Sequence, residues 1–167
     1  MSIKTSAEIR LERRRVPNPV ADLTLACLWP KKGENLGTAL RTCDAVNARM
    51  VVPEDKPARM AILRGNTIGL HNSPVELVDD WWAWLWRAAS MSRVVGVELA
   101  HDSIPLTELE PMAGPTIVLV GHEVSGIPNE ALSLCDQIVE IPMVGVGNSL
   151  NVAVSASLVL YKLRGWV

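Results

Sequence analysis

The stretch GNSLNVAVSASLVLYKL, residues 147–163, decides the reading of this chain. Its second half is apolar and suits a helix, yet it opens Asn148-Ser149-Leu150-Asn151 directly after the glycine-spaced loop PMVGVG (142–147). Asn and Ser satisfy the free N–H groups of a helix start, and one such residue is enough. Three polar side chains in four positions therefore imply a second duty beside capping. A helix is expected over 149–163, with Val152, Ala156, Val159, Leu160 and Leu163 on one apolar face and Ala153, Ser157 and Tyr161 towards another. Apolar residues on both sides, several of them small, suit a helix buried by a second subunit.

Upstream, apolar runs rich in β-branched residues alternate with helical segments. Strands are expected at 23–29, 49–53, 75–78, 93–99, 116–121 and 137–141, and helices at 35–48, 79–89, 128–134 and 149–163. Apolar strands alternating with helices indicate a parallel sheet covered on both faces. No stretch is long enough to divide the chain, so residues 1–167 are expected to form one α/β domain, with 1–21 as a basic N-terminal extension. In DDWWAWLWRAA (79–89), Trp82, Leu85, Trp86 and Ala89 share a helix face bordered by Trp81. Packing against the core or a partner subunit is favoured there over a platform for stacking bases.

Composition narrows the class. At 49% hydrophobic and 20% charged residues the chain is ordinary globular material, not disordered. Cys27, Cys43 and Cys135 are odd in number and widely spaced, which indicates buried free thiols and a cytoplasmic protein. Neither a signal region nor a membrane span is apparent, and no metal-ligand spacing is present. The net charge of −2 hides an asymmetry: residues 1–64 hold 12 Lys/Arg against 7 Asp/Glu, and residues 65–167 hold 4 against 11. Positive charge gathered at Arg10, Arg13, Arg14, Arg15, Lys31 and Lys32 is either a solvated surface or a polyanion-binding face.

In a parallel sheet, ligands bind beyond the carboxyl ends of the strands. Three segments place polar groups there: 34–46 with Asn35 and Arg41, 121–128 with His122, Glu123 and Ser125, and 141–152. Singly, each has a plain structural reading, with Asn35 or Glu123 as helix caps, Arg41 as a surface charge and the glycines as turns. Together they indicate a small-ligand pocket. It is not a dinucleotide or P-loop site, because no G-x-G-x-x-G follows the first strand and no G-x-x-x-x-G-K-[ST] occurs.

The three segments resemble the three motifs of the SPOUT superfamily, in its RNA ribose 2′-O-methyltransferase branch. NLGTALRTCDAV (35–46) resembles the first (N-x-G-x-x-x-R), IVLVGHEVSGIP (117–128) the second (G-x-E-x-x-G), and IPMVGVGNSLNVAVSASLVLY (141–161) the third. The resemblance runs from about 22 to 163. It implies a Rossmann-like parallel sheet with a C-terminal deep trefoil knot, S-adenosylmethionine held mainly by backbone groups, no metal, and a homodimer whose active sites are completed across the interface. Carried over, the adenosine-binding positions are Leu99, Gly121, Ile141, Ser149 and Leu150, and the catalytic set is Asn35, Arg41, Glu123, Ser149 and Asn151.

That family transfers a methyl group to a ribose hydroxyl, a very weak acid, so the site must align it and stabilise the departing charge. Arg41 fits stabilisation of the developing alkoxide better than proton abstraction. Ser149 and Asn151 are then expected to hold cofactor and Arg41, leaving Asn148 as the cap. The implied substrate is tRNA first and ribosomal RNA second; the rival is a non-catalytic dimer that binds cofactor and RNA. His122 departs from the small or amide residue usual at that place in the second motif.

Overall fold

The structure is a computed structural model and describes residues 3–5, 7–9, 12, 22–30, 32–55, 58–60 and 75–167. Arg10, Arg13, Arg14, Arg15, Lys31 and most of the extension 1–21 lie outside the described residues. Seven strands appear among the described ones: β1 (Leu23–Ala26), β2 (Arg49–Pro53), β3 (Val75–Val78), β4 (Arg93–Val97), β5 (Ile104–Pro105), β6 (Thr116–Val120) and β7 (Gln137–Glu140). They form one sheet in the order β3-β2-β1-β6-β4-β7-β5, and every pairing is parallel. Six strands fall where the apolar runs place them. The seventh, β5, is only Ile-Pro and is held by its pairing to Val139 and Glu140, so no local pattern announces it.

Helices α1 (Gly33–Val46) and α4 (Val152–Leu163) cover one face, and α2 (Trp81–Ala89) and α3 (Asn129–Leu132) the other. The alternation of β6 shows how one strand serves both layers. Val118 and Val120 join the core of α1 and α4, while Ile117 and Leu119 join that of α2. Leu40, Leu160 and Leu163 are fully buried between α1, α4 and the sheet. Truncating any one to Ala is expected to cost about 2–5 kcal/mol.

Two helix readings are corrected. The last helix begins at Val152, not 149, and its cap is Asn151, not Asn148: the Asn151 side chain accepts from the N–H groups of Ala153 and Val154. Ala153 joins Ala156, Val159, Leu160 and Leu163 on the buried face, and the outward apolar residues are Val154 and Leu158. In α2 the packed stripe is centred on Leu85, with Trp81, Trp84, Ala88 and Ala89 beside it. Trp82 therefore falls on its rim and Trp86 beyond it, 63% exposed. Trp29 and Trp81 meet edge to face, with ring centroids 5.1 Å apart.

The residue after α4 is tied back to the end of α1 and to the approach to β1. Arg164 donates to the carbonyls of Val46 (2.8 Å) and Asn47 (2.7 Å) and to Asp22 Oδ1 (3.1 Å). These carbonyls are at the C-terminal end of α1, where a helix lacks partners for them and a cation is favoured. Asn47 closes α1 in the left-handed conformation (φ 52°), a role Asn tolerates.

Candidate functional site

Because all pairings are parallel, the carboxyl ends of β1, β4, β6 and β7 open on one edge. The loops leaving them surround a cavity of about 690 Å³. This is the size of a small-molecule site. Leu99, Gly121, Ile141, Ser149 and Leu150 line it, as do Asn35, Glu123 and Asn151. Arg41 does not: it is exposed on α1 and absent from the lining.

The polar groups at the helix mouth form one chain of hydrogen bonds. Asn151 takes the α4 N–H groups on Oδ1 and donates through Nδ2 to Asn35 Oδ1 at 2.9 Å. Asn35 donates in turn through its own Nδ2 to Glu123 Oε1 at 2.8 Å. That carboxylate oxygen also accepts from the backbone N–H of Lys32 at 3.1 Å. Helix α1 has no cap from its own sequence, so Glu123 places a negative charge at its N-terminus from 91 positions away. Asn35 is buried inside α1 and caps nothing; within the chain Asn151 holds Asn35.

The loop carrying Glu123 is a tight fold-back. His122 and Gly126 exchange both backbone bonds at 3.0 Å. The His122 ring Nδ1 accepts from the N–H groups of Val124 (3.1 Å) and Ser125 (3.3 Å). Two donors at Nδ1 put the ring proton on Nε2, and the imidazole does what an amide oxygen does in an Asx turn. Gly121 is required by contact, since a Cβ there would lie 2.3 Å from the carbonyl carbon of Gly126. Gly126 has φ +69°, and a Cβ would meet Glu98 Oε2 at 2.4 Å. That Glu98 oxygen accepts from Ile127 N–H at 3.0 Å, and Oε1 accepts from Leu99 N–H at 3.1 Å.

Sequence reasoning missed Glu98 and Glu140 and named Lys32 only as part of the basic cluster; all three line the cavity. The signal existed: VVGVE and QIVE are apolar runs that end on a glutamate at the ligand-binding edge of the sheet. Apolar Leu99, Ile141 and Leu150, the exposed loop 142–150 and the carboxylate acceptors make a lining suited to a small molecule with apolar faces and with hydroxyl or cationic groups. Among the described residues, no group of three or more His, Cys, Asp or Glu is placed to hold a metal ion. Nor is any helix long and apolar enough to cross a membrane.

Residues 22–161 match the model of the SpoU rRNA methylase family. The chain belongs to this family. It is 33% identical over 148 residues to the tRNA (guanosine(18)-2′-O)-methyltransferase of Escherichia coli K12, a match covering 86% of this chain and 63% of that protein. The crystal structure of the A. aeolicus TrmH/SpoU tRNA modifying enzyme superposes with a TM-score of 0.76 at 27% identity, over 95% of this chain and 83% of that one. The SpoU methyltransferase AviRb of Streptomyces viridochromogenes, in complex with the cofactor AdoMet, gives 0.65 at 26% identity, over 93% and 63%. The fold is thus that of the SpoU methyltransferases. The chain spans somewhat under two thirds of the length of the E. coli relative.

Proposed function

We propose that this chain is an S-adenosylmethionine-dependent RNA ribose 2′-O-methyltransferase, acting on tRNA first and ribosomal RNA second. The observation that carries the reading is the bond chain Glu123–Asn35–Asn151, which joins all three motif segments around one cavity. The family and the named activities of its relatives support it.

The cofactor would lie along Leu99, Gly121, Ile141, Ser149 and Leu150, and when bound it supplies an electrophilic methyl group on a sulfonium. The chain's own residues orient and shield. Asn35, Glu123 and Asn151 have their polar atoms engaged with one another, so they are positioning residues that fix the three loops. Ser149, exposed on the rim, is the member of the set placed to meet a ligand. Arg41 is assigned to stabilising the 2′-oxyanion; since it is absent from the lining of its own chain's cavity, it is assigned to the partner's site in a homodimer. The outward Val154 and Leu158 of α4, and the fully exposed Val144 and Val146 of the loop before it, are the apolar surface such a partner would cover. The segment after β6 is proposed to pass through a trefoil knot; the order of the motifs and the place of β6 between β1 and β4 support this. A cytoplasmic location accords with three unpaired thiols.

The test is direct. Total RNA from cells with and without the gene is mapped for ribose methylation, and purified protein is titrated with S-adenosylhomocysteine. One lost 2′-O-methyl position together with measurable binding is expected. No binding by folded protein overturns the reading.

A further inference from the structure

Among the described residues, three carboxylates line the cavity, and their partners differ. Glu98 is occupied by two backbone N–H groups, one on each oxygen. Glu123 is held by Asn35 and Lys32. Among the described residues, Glu140, half-buried at the end of β7, has on Oε2 only the hydroxyl of Ser103 at 2.7 Å. That hydroxyl also lies 2.8 Å from the carbonyl of Ala100, so its single proton serves one acceptor at a time. Glu140 is therefore oriented but undersupplied: an ionised carboxyl has about four acceptor positions.

Its surroundings raise the demand for a donor. Val97 and Val139 are paired in register, so Glu98 and Glu140 follow side by side on adjacent strands. Like charges so placed repel. Lys32 is the one Lys or Arg in the lining among the described residues, and its backbone N–H is the group committed to Glu123. A phosphate at this end of the cavity would meet carboxylates, while hydroxyl donors would relieve them. Glu140 is continuous with Ile141, and with Leu99 and Leu150 this forms the apolar flank where a base would lie.

We infer that Glu140, oriented by Ser103, accepts hydrogen bonds from the ribose hydroxyls of a nucleoside that carries no 5′-phosphate. A vicinal diol offers two O–H donors to one carboxylate, the pairing that reads ribose in dinucleotide folds. The inference deepens the proposed function and rests on it: the nucleoside is the adenosine part of the methyl donor.

The experiment is calorimetric titration of wild type, Glu140→Gln and Glu140→Ala with S-adenosylhomocysteine and with 5′-methylthioadenosine, which lacks the amino-acid tail. Bonds to a charged acceptor imply that Glu140→Ala weakens both compounds by a similar factor, about tenfold to hundredfold. Glu140→Gln, which keeps one acceptor oxygen, should lose less, and Ser103→Ala should lose a part of the same effect. Unchanged affinities in Glu140→Ala overturn the inference. A loss seen with S-adenosylhomocysteine alone also overturns it, because Glu140 would then face the ammonium group. If wild type binds neither compound, the cofactor reading itself fails, which these variants keep distinct.

Discussion

Asn151 donates to Asn35 at 2.9 Å across 116 positions of the chain, while its own oxygen caps the helix that follows. One side chain thus starts α4 and fixes its mouth against α1, which makes the two duties separable. Asn151→Asp retains the capping oxygen but loses the donor, and it sets a carboxylate against Asn35 Oδ1. Asn35 cannot turn to help without aiming its oxygen at Glu123. Asn151→Ala is expected to lower stability by about 1 kcal/mol through the lost cap. Asn151→Asp, which keeps the cap but sets two oxygens together, should lose about 1 kcal/mol or more through the broken contact and bind S-adenosylhomocysteine more weakly. A native urea midpoint for Asn151→Asp would mean that the cap alone, and not the contact to Asn35, holds the helix.

Arg164 makes the matching tie at the other end of α4. Its side chain is 14% exposed, and the guanidinium serves two carbonyls at the end of α1 and the Asp22 carboxylate. Arg164→Ala leaves those carbonyls short of donors and is expected to cost about 2–3 kcal/mol. Arg164→Lys, with one point charge in place of a planar fork, should recover only a part. Urea unfolding measures both, and a native midpoint for Arg164→Ala would show that water replaces the side chain.

The three thiols give a pH dependence with a fixed sign. Burial, with the Asp44 charge nearby, pushes Cys43 from an ordinary value of 9.0 to about 12, and burial, with Asp136, pushes Cys135 to about 11. Cys27 is raised well above the ordinary range by burial, with Cys43 and Glu123 adding to it. A thiol harder to ionise in the folded state contributes stability that is complete below pH 9. The contribution is lost as the pH rises from 9 through 11 and 12. The thermal midpoint should therefore fall above pH 9, and a thiol reagent at pH 8 should modify unfolded protein far faster than folded. Fast labelling of native protein at pH 8 would show an accessible thiolate.

What the sequence disclosed follows the range of the forces involved. Six strands were legible because a sheet covered on both faces needs continuous apolar runs, and β6 is buried at every residue; the two-residue β5 was not. The start of α4 was not, because Asn148, Ser149 and Asn151 are equivalent caps by local chemistry and only Asn35, far along the chain, selects among them. The face of α2 was misjudged for a related reason. Trp82 and Leu85 are equally apolar, and the sheet beneath decides which turns inward. Motif positions located the cavity, but Glu98 and Glu140 belong to no motif and were passed over as strand ends.

Arg41 is exposed and absent from the lining of its own chain's cavity. Arg41→Ala should leave the affinity for S-adenosylhomocysteine within about twofold of native, since no residue of the lining is touched. Methyl transfer to RNA should fall by two orders of magnitude or more, roughly the worth of one stabilising group at a developing oxyanion. If the guanidinium serves the neighbouring subunit, Arg41→Ala and Glu123→Ala are each inactive alone but complement when mixed. A mixed dimer then has one site with both groups and one with neither. Random assortment makes half the dimers mixed, so the pool should regain about one quarter of native activity. Activity restored after co-expression, measured on RNA from the deletion strain, establishes a shared site. No recovery, with mixed dimers confirmed by mass, would mean that Arg41 swings into its own cavity or has no part in the chemistry.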